Sequence, residues 1–100
     1  MTRILLDLDD TVLLNGGLHP RFPEFRAWVE RGGHAVTVWS SRDDGGAIAS
    51  LMGFGHLHKD APGRPEADIL IDDCGEQFNA LCSVAEVYDS LGGFLDAIAG

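Results

Sequence analysis

The chain has 100 residues, of which 45% are hydrophobic and 23% are charged, a balance typical of one globular domain. No apolar run approaches the roughly 20 residues that a membrane-spanning helix needs, so we expect no membrane partner. The formal net charge is -9, with only seven lysine and arginine residues; this disfavours a nucleic-acid partner, because those two residue types make the contacts to a phosphate backbone.

The first residues and the cysteines predict a cytoplasmic protein. Met1-Thr2-Arg3 leads into an apolar run of only a few residues that ends in aspartates, which is unlike a secretory signal peptide. Cys74 and Cys82 are the only cysteines, and in a reducing compartment we expect two thiols rather than a disulfide.

The first predicted strand ends in an acidic cluster. The run Ile4–Leu8 is apolar except for Asp7, which is typical of a strand covered on both faces in a parallel sheet. Asp9 and Asp10 follow at once. Carboxylates at the end of a buried strand are costly unless a cation or a proton compensates them, so we expect a metal-assisted site. Capping of a helix or solvation of a loop is the alternative, above all for Asp10.

A turn and a helix are predicted next. Asn15-Gly16 predicts a tight reversal, which would form a small flap beside the acidic cluster. A helix is predicted from Pro20 to about Arg31, ended by Gly32-Gly33. Its apolar face would consist of Phe22, Phe25, Trp28 and Val29.

The rest of the chain alternates between strand and helix patterns. Further strands are predicted over residues 35–39, 56–58, 67–71 and 84–88. One helix is predicted around Ile48, Leu51 and Met52, with Asp43 or Asp44 as its cap. Two more are predicted over residues 75–82 and from Ser90 onward. This alternation predicts an α/β fold of the three-layer, Rossmann-like type: a five-stranded parallel sheet with helices on both faces.

Polar side chains of matching chemistry fall at or just after the predicted strand ends. They are Asp7, Asp9, Ser40, Lys59, Asp72 and Asp73. In parallel sheets ligands bind at the carboxyl ends of the strands, so these groups should meet at one edge. Carboxylates, a hydroxyl, an ammonium group and an acidic pair are the parts that phosphoryl transfer requires. His56 and His58 are weaker candidate metal ligands, because no third nitrogen or sulfur ligand lies nearby.

Four segments resemble the motifs of one known family in the same order. Asp7-Leu8-Asp9-Asp10-Thr11 resembles DxDx(T/V), the first motif of the haloacid dehalogenase superfamily of phosphohydrolases. Ser40 with Ser41-Arg42 resembles the second motif, Lys59 the third, and Ile71-Asp72-Asp73 the fourth. The resemblance covers nearly the whole chain and implies one hydrolase core domain over residues 1–100.

The resemblance implies a magnesium-dependent phosphatase. Asp7 would be the nucleophile that becomes an aspartyl-phosphate, and Asp9 would be the general acid and base. The magnesium ligands would be Asp7, the backbone carbonyl of Asp9, and Asp72 helped by Asp73. The residues that would bind the phosphate are Ser40, Ser41, Arg42 and Lys59.

The chain departs from the family pattern in two ways. Lys59 lies close before Asp72 in sequence, which leaves Arg64 as a rival for the cationic third motif. The connections also leave no room for a cap domain, and family members without caps tend to act on large substrates or to complete their sites by oligomerising. The expected partners are therefore a phosphorylated small molecule or a phosphoprotein, with a homo-oligomer as a further expectation.

Two other functional classes stay open from sequence. One is a binding or regulatory module that keeps the fold and the metal without turnover, although loss of Asp7 or Asp9 would have favoured it and both are present. The other is a receiver-type phospho-acceptor domain, which would carry its acceptor aspartate on a later strand, where this chain has Ser40.

Overall fold

The computed structural model describes all residues from Met1 to Gly100. In chain order the elements are β1 (Arg3–Leu6), β2 (Leu13–Leu14), β3 (Gly17–Leu18), α1 (Phe22–Gly32), β4 (Ala35–Ser40), α2 (Gly45–Met52), β5 (Gly55–His58), β6 (Ile69–Ile71), α3 (Gly75–Phe78), a 3-10 turn (Asn79–Leu81), β7 (Glu86–Tyr88) and α4 (Leu91–Ala99). No helix is both long enough and apolar enough to cross a membrane.

The main sheet has five parallel strands in the order β5-β4-β1-β6-β7. Strand β1 lies at the centre, where Leu5 pairs with Thr37 on one side and with Leu70 on the other. The predicted α/β class and the five-stranded parallel sheet are confirmed, as is the edge position of the strand around residues 56–58. The arrangement is compatible with a Rossmann-like fold.

The two faces of β1 are buried by different parts of the chain. Ile4 and Leu6 belong to a large apolar cluster with side chains from α1, α2 and α4. Leu5 points the other way, into a smaller cluster with Trp39 and Cys82, against which Phe78 of α3 packs. The unbroken apolar run therefore reflects burial on both faces. The second face is covered by a one-turn helix and loops, whereas the longer helices share the first.

The predicted flap is a two-stranded hairpin made by β2 and β3. Asn15 and Gly16 both have positive φ, 53° and 80°, as expected for the tight reversal that Asn-Gly favours. The hairpin directly follows the acidic cluster, and two of its leucines, Leu14 and Leu18, are exposed.

Helix α2 buries two of its three predicted apolar positions, since Met52 is buried and Ile48 packs against the core. Gly45, Ala49 and Met52 face the sheet, whereas Leu51 is 85% exposed. The reason is a close approach: a Cβ added at Gly45 would lie 2.8 Å from Nε2 of His56. A small residue is therefore needed at Gly45 on the inner face, and the prediction from apolar periodicity was wrong for Leu51.

The remaining helices follow the predictions closely. Helix α1 starts two residues later than predicted and ends at Gly32, and Gly33 caps it with a φ of 63°. Ser90 caps α4 as predicted, because its Oγ accepts a hydrogen bond from the backbone N–H of Gly93. The segment predicted as one helix over residues 75–82 is instead α3 followed by the 3-10 turn.

Candidate active site

Four of the predicted site residues lie together at the carboxyl edge of the sheet. Asp7 follows β1, Ser40 ends β4, Lys59 follows β5 and Asp72 follows β6. These strands are parallel, so their ends meet at the same edge. Asp7, Ser40 and Asp72 are buried, with exposed fractions of 7%, 2% and 0%.

Lys59 joins the two buried carboxylates. Its Nζ donates to Oδ1 of Asp7 at 3.2 Å and to Oδ2 of Asp72 at 2.8 Å. The Lys59 side chain is only 8% exposed, and its ammonium lies 3.7 Å from the centroid of the Phe78 ring. Lys59 is the only lysine in the chain. Burying two carboxylates costs free energy because they lose their hydration, and the shared ammonium offsets part of this cost.

The other oxygen of each carboxylate is also held. Oδ2 of Asp7 accepts from the hydroxyl of Thr11 at 3.1 Å, and that hydroxyl oxygen accepts from the backbone N–H of Asp73 at 3.2 Å. Oδ1 of Asp72 accepts from the backbone N–H of Cys74 at 2.9 Å. No buried side-chain nitrogen or oxygen lacks a hydrogen-bond partner, so both carboxylates have fixed orientations.

The environment makes Asp7 an unusual carboxyl. Burial, and next the negative charge of Asp72, raise the pKa of Asp7 to about 7, against the opposing effect of Lys59. Burial alone would lower the pKa of Lys59, but its hydrogen bond to Asp72 and the charge of Asp7 raise that pKa overall. One cation faces two carboxylates, so the site carries excess negative charge when both are ionised.

Asp9 lies apart from this buried group. Its side chain is 57% exposed, and its Oδ1 accepts from the NH1 nitrogen of Arg42 at 2.7 Å. The same guanidinium forms two hydrogen bonds to Asp44, from Nε at 2.8 Å and from NH2 at 3.0 Å. Arg42, predicted as a phosphate ligand, is therefore paired with carboxylates on all three nitrogens. Asp44, predicted as a helix cap, makes no capping hydrogen bond.

The two serines of this segment differ. The backbone N–H of Arg42 donates to Oγ of Ser40 at 3.1 Å, and the backbone N–H of Lys59 donates to the Ser40 carbonyl at 3.0 Å. Ser40 thus links the second and third motif segments. Ser41 is exposed, and none of the side-chain hydrogen bonds of the site involves it.

Of the two candidate cations, Lys59 is the one that contacts the carboxylates. Arg64 donates to Oγ of Ser83 at 3.1 Å and to the carbonyl of Ala80 at 2.8 Å. Both of its partners belong to the segment before β7. The compact spacing between Lys59 and Asp72 is thus compatible with direct contact. Lys59, and not Arg64, is the cation beside the two carboxylates.

The histidines belong to no group of side chains that could hold a metal ion. Nδ1 of His58 accepts from the backbone N–H of Asp60 at 3.0 Å, and His56 packs over Gly45. Cys74 is exposed and Cys82 is buried, and both are free thiols as predicted. The charge of Asp73 raises the pKa of the Cys74 thiol, and burial raises that of Cys82.

The oxygen donors of the site fit a magnesium ion. Asp72 and Asp73 offer carboxylate oxygens that lie within 4.8 Å of each other and of the Cys74 sulfur. The backbone hydrogen bonds outside the regular elements include none to the carbonyl oxygen of Asp9, which leaves that oxygen free as a ligand. Carboxylate and carbonyl oxygens are the ligands that magnesium prefers, and a divalent cation would offset the excess negative charge.

Two open clefts border this edge of the sheet. One, of about 500 Å³, lies between the flap and α2, with Asp9, Asp10, Asn15 and Arg42 in its lining. The other, of about 680 Å³, lies on the far side, beside Asp73. The first cleft is thus lined by Asp9 and the second by Asp73.

Sequence reasoning missed two contributors to this site. The hydroxyl of Thr11 orients Asp7, a role that the sequence motif containing Thr11 does not indicate. The Asp44 carboxylate holds Arg42, and a signal for it was present: an arginine and an aspartate two residues apart, directly after a strand.

No protein-family model matches this chain, and no match was found among the curated proteins or among the solved structures.

Proposed function

We propose that this protein is a magnesium-dependent phosphatase that hydrolyses phosphate monoesters through an aspartyl-phosphate on Asp7. The observation that carries the proposal is the buried triad of Asp7, Lys59 and Asp72 at the carboxyl edge of the parallel sheet. A structural ion pair would need only one carboxylate for one ammonium. Two buried carboxylates on one lysine leave a negative charge that suits a metal and a phosphoryl group.

The first half of the reaction would form a bond between Asp7 and phosphorus. An Asp7 oxygen attacks the phosphorus atom, and the bond to the leaving oxygen breaks. Lys59 is placed to stabilise the ionised form of Asp7 and the charge of the bound phosphoryl group. Asp9 gives a proton to the leaving oxygen, which departs as an alcohol.

The second half would restore the enzyme. Asp9 takes a proton from a water molecule, whose oxygen attacks the same phosphorus atom. The bond between phosphorus and Asp7 breaks, inorganic phosphate leaves, and the Asp7 carboxylate is regenerated. Throughout, the Thr11 hydroxyl would keep Asp7 oriented, and the Ser40 hydroxyl would donate to a phosphoryl oxygen.

The metal ligands would be Asp7, Asp72, Asp73 and the carbonyl of Asp9. Magnesium, when bound, supplies neutralisation of the charge on the phosphoryl oxygens. The wider assignment belongs to the same proposal: a three-layer core of the haloacid dehalogenase type over residues 1–100, capless and cytoplasmic. Its substrate would be a phosphorylated small molecule or a phosphoprotein, and a homo-oligomer would supply the missing cover of the site.

A panel of phosphate monoesters assayed with magnesium tests this proposal. We expect the unmodified protein to release phosphate, and we expect Asp7→Asn to lose turnover because no other group can attack in line. Asp10→Asn is the matched control, because it removes one charge from the same acidic cluster. Asparagine also tolerates the positive φ of 62° found at this position. An unmodified protein that is inactive across the panel would instead support a non-catalytic binding module.

A further inference from the structure

Resting on the proposed function, we propose that Asp44 and Arg42 form a positioning pair that orients Asp9 for proton transfer. Neither residue would touch the reacting atoms. The motivation is that Arg42 supplies the only side-chain hydrogen bond made by the Asp9 carboxylate, although Asp9 must point at the leaving oxygen to act as an acid.

Arg42 is fixed at both of its ends. Its backbone N–H donates to the buried Oγ of Ser40 at 3.1 Å, which ties its main chain to the end of β4. Its Nε and NH2 nitrogens meet the two oxygens of Asp44 at 2.8 and 3.0 Å. This paired geometry restricts the guanidinium far more than a single contact would. The remaining nitrogen, NH1, is thereby aimed at Asp9.

Asp44 is itself attached to a rigid element. It immediately precedes α2, which packs on the sheet through Gly45, Ala49 and Met52. The main chain of Asp44 is therefore fixed relative to the end of β4. The helix does not use this carboxylate as a cap, so its contacts within the protein are those to Arg42.

The pair contributes orientation rather than stability. The side chains of Asp9 and Asp44 are both 57% exposed and that of Arg42 is 36% exposed, and exposed ion pairs stabilise a fold little. Direct phosphate binding by Arg42 is the competing role. It is disfavoured because three of the five N–H donors already point at carboxylates, which offset the positive charge of the guanidinium.

The distinguishing measurement is kcat/KM for a series of phosphate esters, from p-nitrophenyl phosphate to ethyl phosphate. A good leaving group needs little help from an acid, whereas an alkoxide needs a correctly placed proton. We expect Asp44→Asn to lower kcat/KM about tenfold for ethyl phosphate and less than about twofold for p-nitrophenyl phosphate. Asp44→Glu, which keeps the carboxylate, should retain most of the activity.

Three further variants complete the design. Asp43→Asn is the matched control, since Asp43 is exposed and adjacent to Asp44; it should behave like the unmodified protein. Arg42→Met should reproduce the selective loss, and adding Asp44→Asn to it should cause no further loss, because Asp44 acts only through Arg42. Circular dichroism and the melting temperature verify that each variant is folded.

Three results would overturn the inference. Equal losses for all esters, with weaker inhibition by inorganic phosphate, would make Arg42 a phosphate ligand. Additive losses in the double variant, or no loss in Asp44→Asn, would separate Asp44 from Asp9. If the unmodified protein hydrolyses none of the esters, the proposed function fails and the inference fails with it. The first two results leave the proposed function intact.

Discussion

Replacing Lys59 by methionine should destabilise the metal-free protein strongly at neutral pH. Its ammonium lies 3.2 Å from Asp7 and 2.8 Å from Asp72. With an effective dielectric constant of about 20, Coulomb's law gives attractions of about 5 and 6 kcal/mol. Most of this offsets the cost of removing three charges from water. Breaking such a buried pair typically costs about 3 to 5 kcal/mol.

Methionine keeps an unbranched side chain against the rings of Trp39 and Phe78, so the loss measured is mainly that of the charge. Urea unfolding at pH 7 in the presence of a chelator gives the free energy directly. The loss should shrink at pH 5, because protonation of Asp7 leaves one fewer charge unpaired. Arg64→Met is the matched control: this exposed cation contacts neither carboxylate, and its replacement should change stability by about 0.5 kcal/mol or less.

A Lys59→Met variant as stable as the Arg64→Met variant at pH 7 would refute this reasoning. It would mean that the ammonium does not compensate the two buried carboxylates. An equal loss at pH 5 and pH 7 would indicate lost packing against the rings rather than lost charge compensation.

Three other predictions follow from the same structure. The folded-state pKa of Asp7 is raised from 3.8 to about 7, so the folded state binds this proton more tightly than the unfolded state does. The stability contributed by the protonated Asp7 should be complete below about pH 4 and should be lost as pH rises through 7. Urea titrations of Asp7→Asn should lack this trend. Millimolar magnesium should raise the melting temperature of the unmodified protein. At a hundredfold excess over Kd, bound magnesium adds about 2.7 kcal/mol to the free energy of unfolding. Calorimetry should find no such binding to Asp72→Asn. Ala49→Leu should cost about 1 to 3 kcal/mol because it overfills the contact between α2 and the sheet. Leu51→Lys, at a position that is 85% exposed, should unfold at nearly the same urea concentration as the unmodified protein. The reverse order would mean that Leu51 belongs to the buried face after all.

The sheet and its site edge were predictable because they depend on local patterns. Burial of β1 on both faces follows from its unbroken apolar run, and the convergence of Asp7, Lys59 and Asp72 follows from the parallel order of the strands. Ser90 and Asn15-Gly16 were predictable for the same reason, since a cap and a tight turn involve only neighbouring residues.

The parts that were not predictable depend on contacts between distant segments. The inner face of α2 is decided by the ring of His56 against Gly45, which helical periodicity does not contain. The role of Asp44 was missed because Arg42 competes with the helix end for its carboxylate, and the geometry of the loop decides that competition. Likewise, the choice between Lys59 and Arg64 required the position of Ser83, which holds Arg64 elsewhere.

The central claim is that Asp7 becomes phosphorylated, and acid quenching followed by mass spectrometry tests it most directly. The protein is mixed with magnesium and a phosphate ester, quenched within the first turnover, digested and analysed for a phosphorylated peptide. We predict that the phosphoryl group lies on Asp7, that Asp9→Asn accumulates it because hydrolysis of the intermediate is slowed, and that Asp7→Asn lacks it. Phosphate release without any phosphorylated Asp7, in both the unmodified protein and Asp9→Asn, would contradict the account.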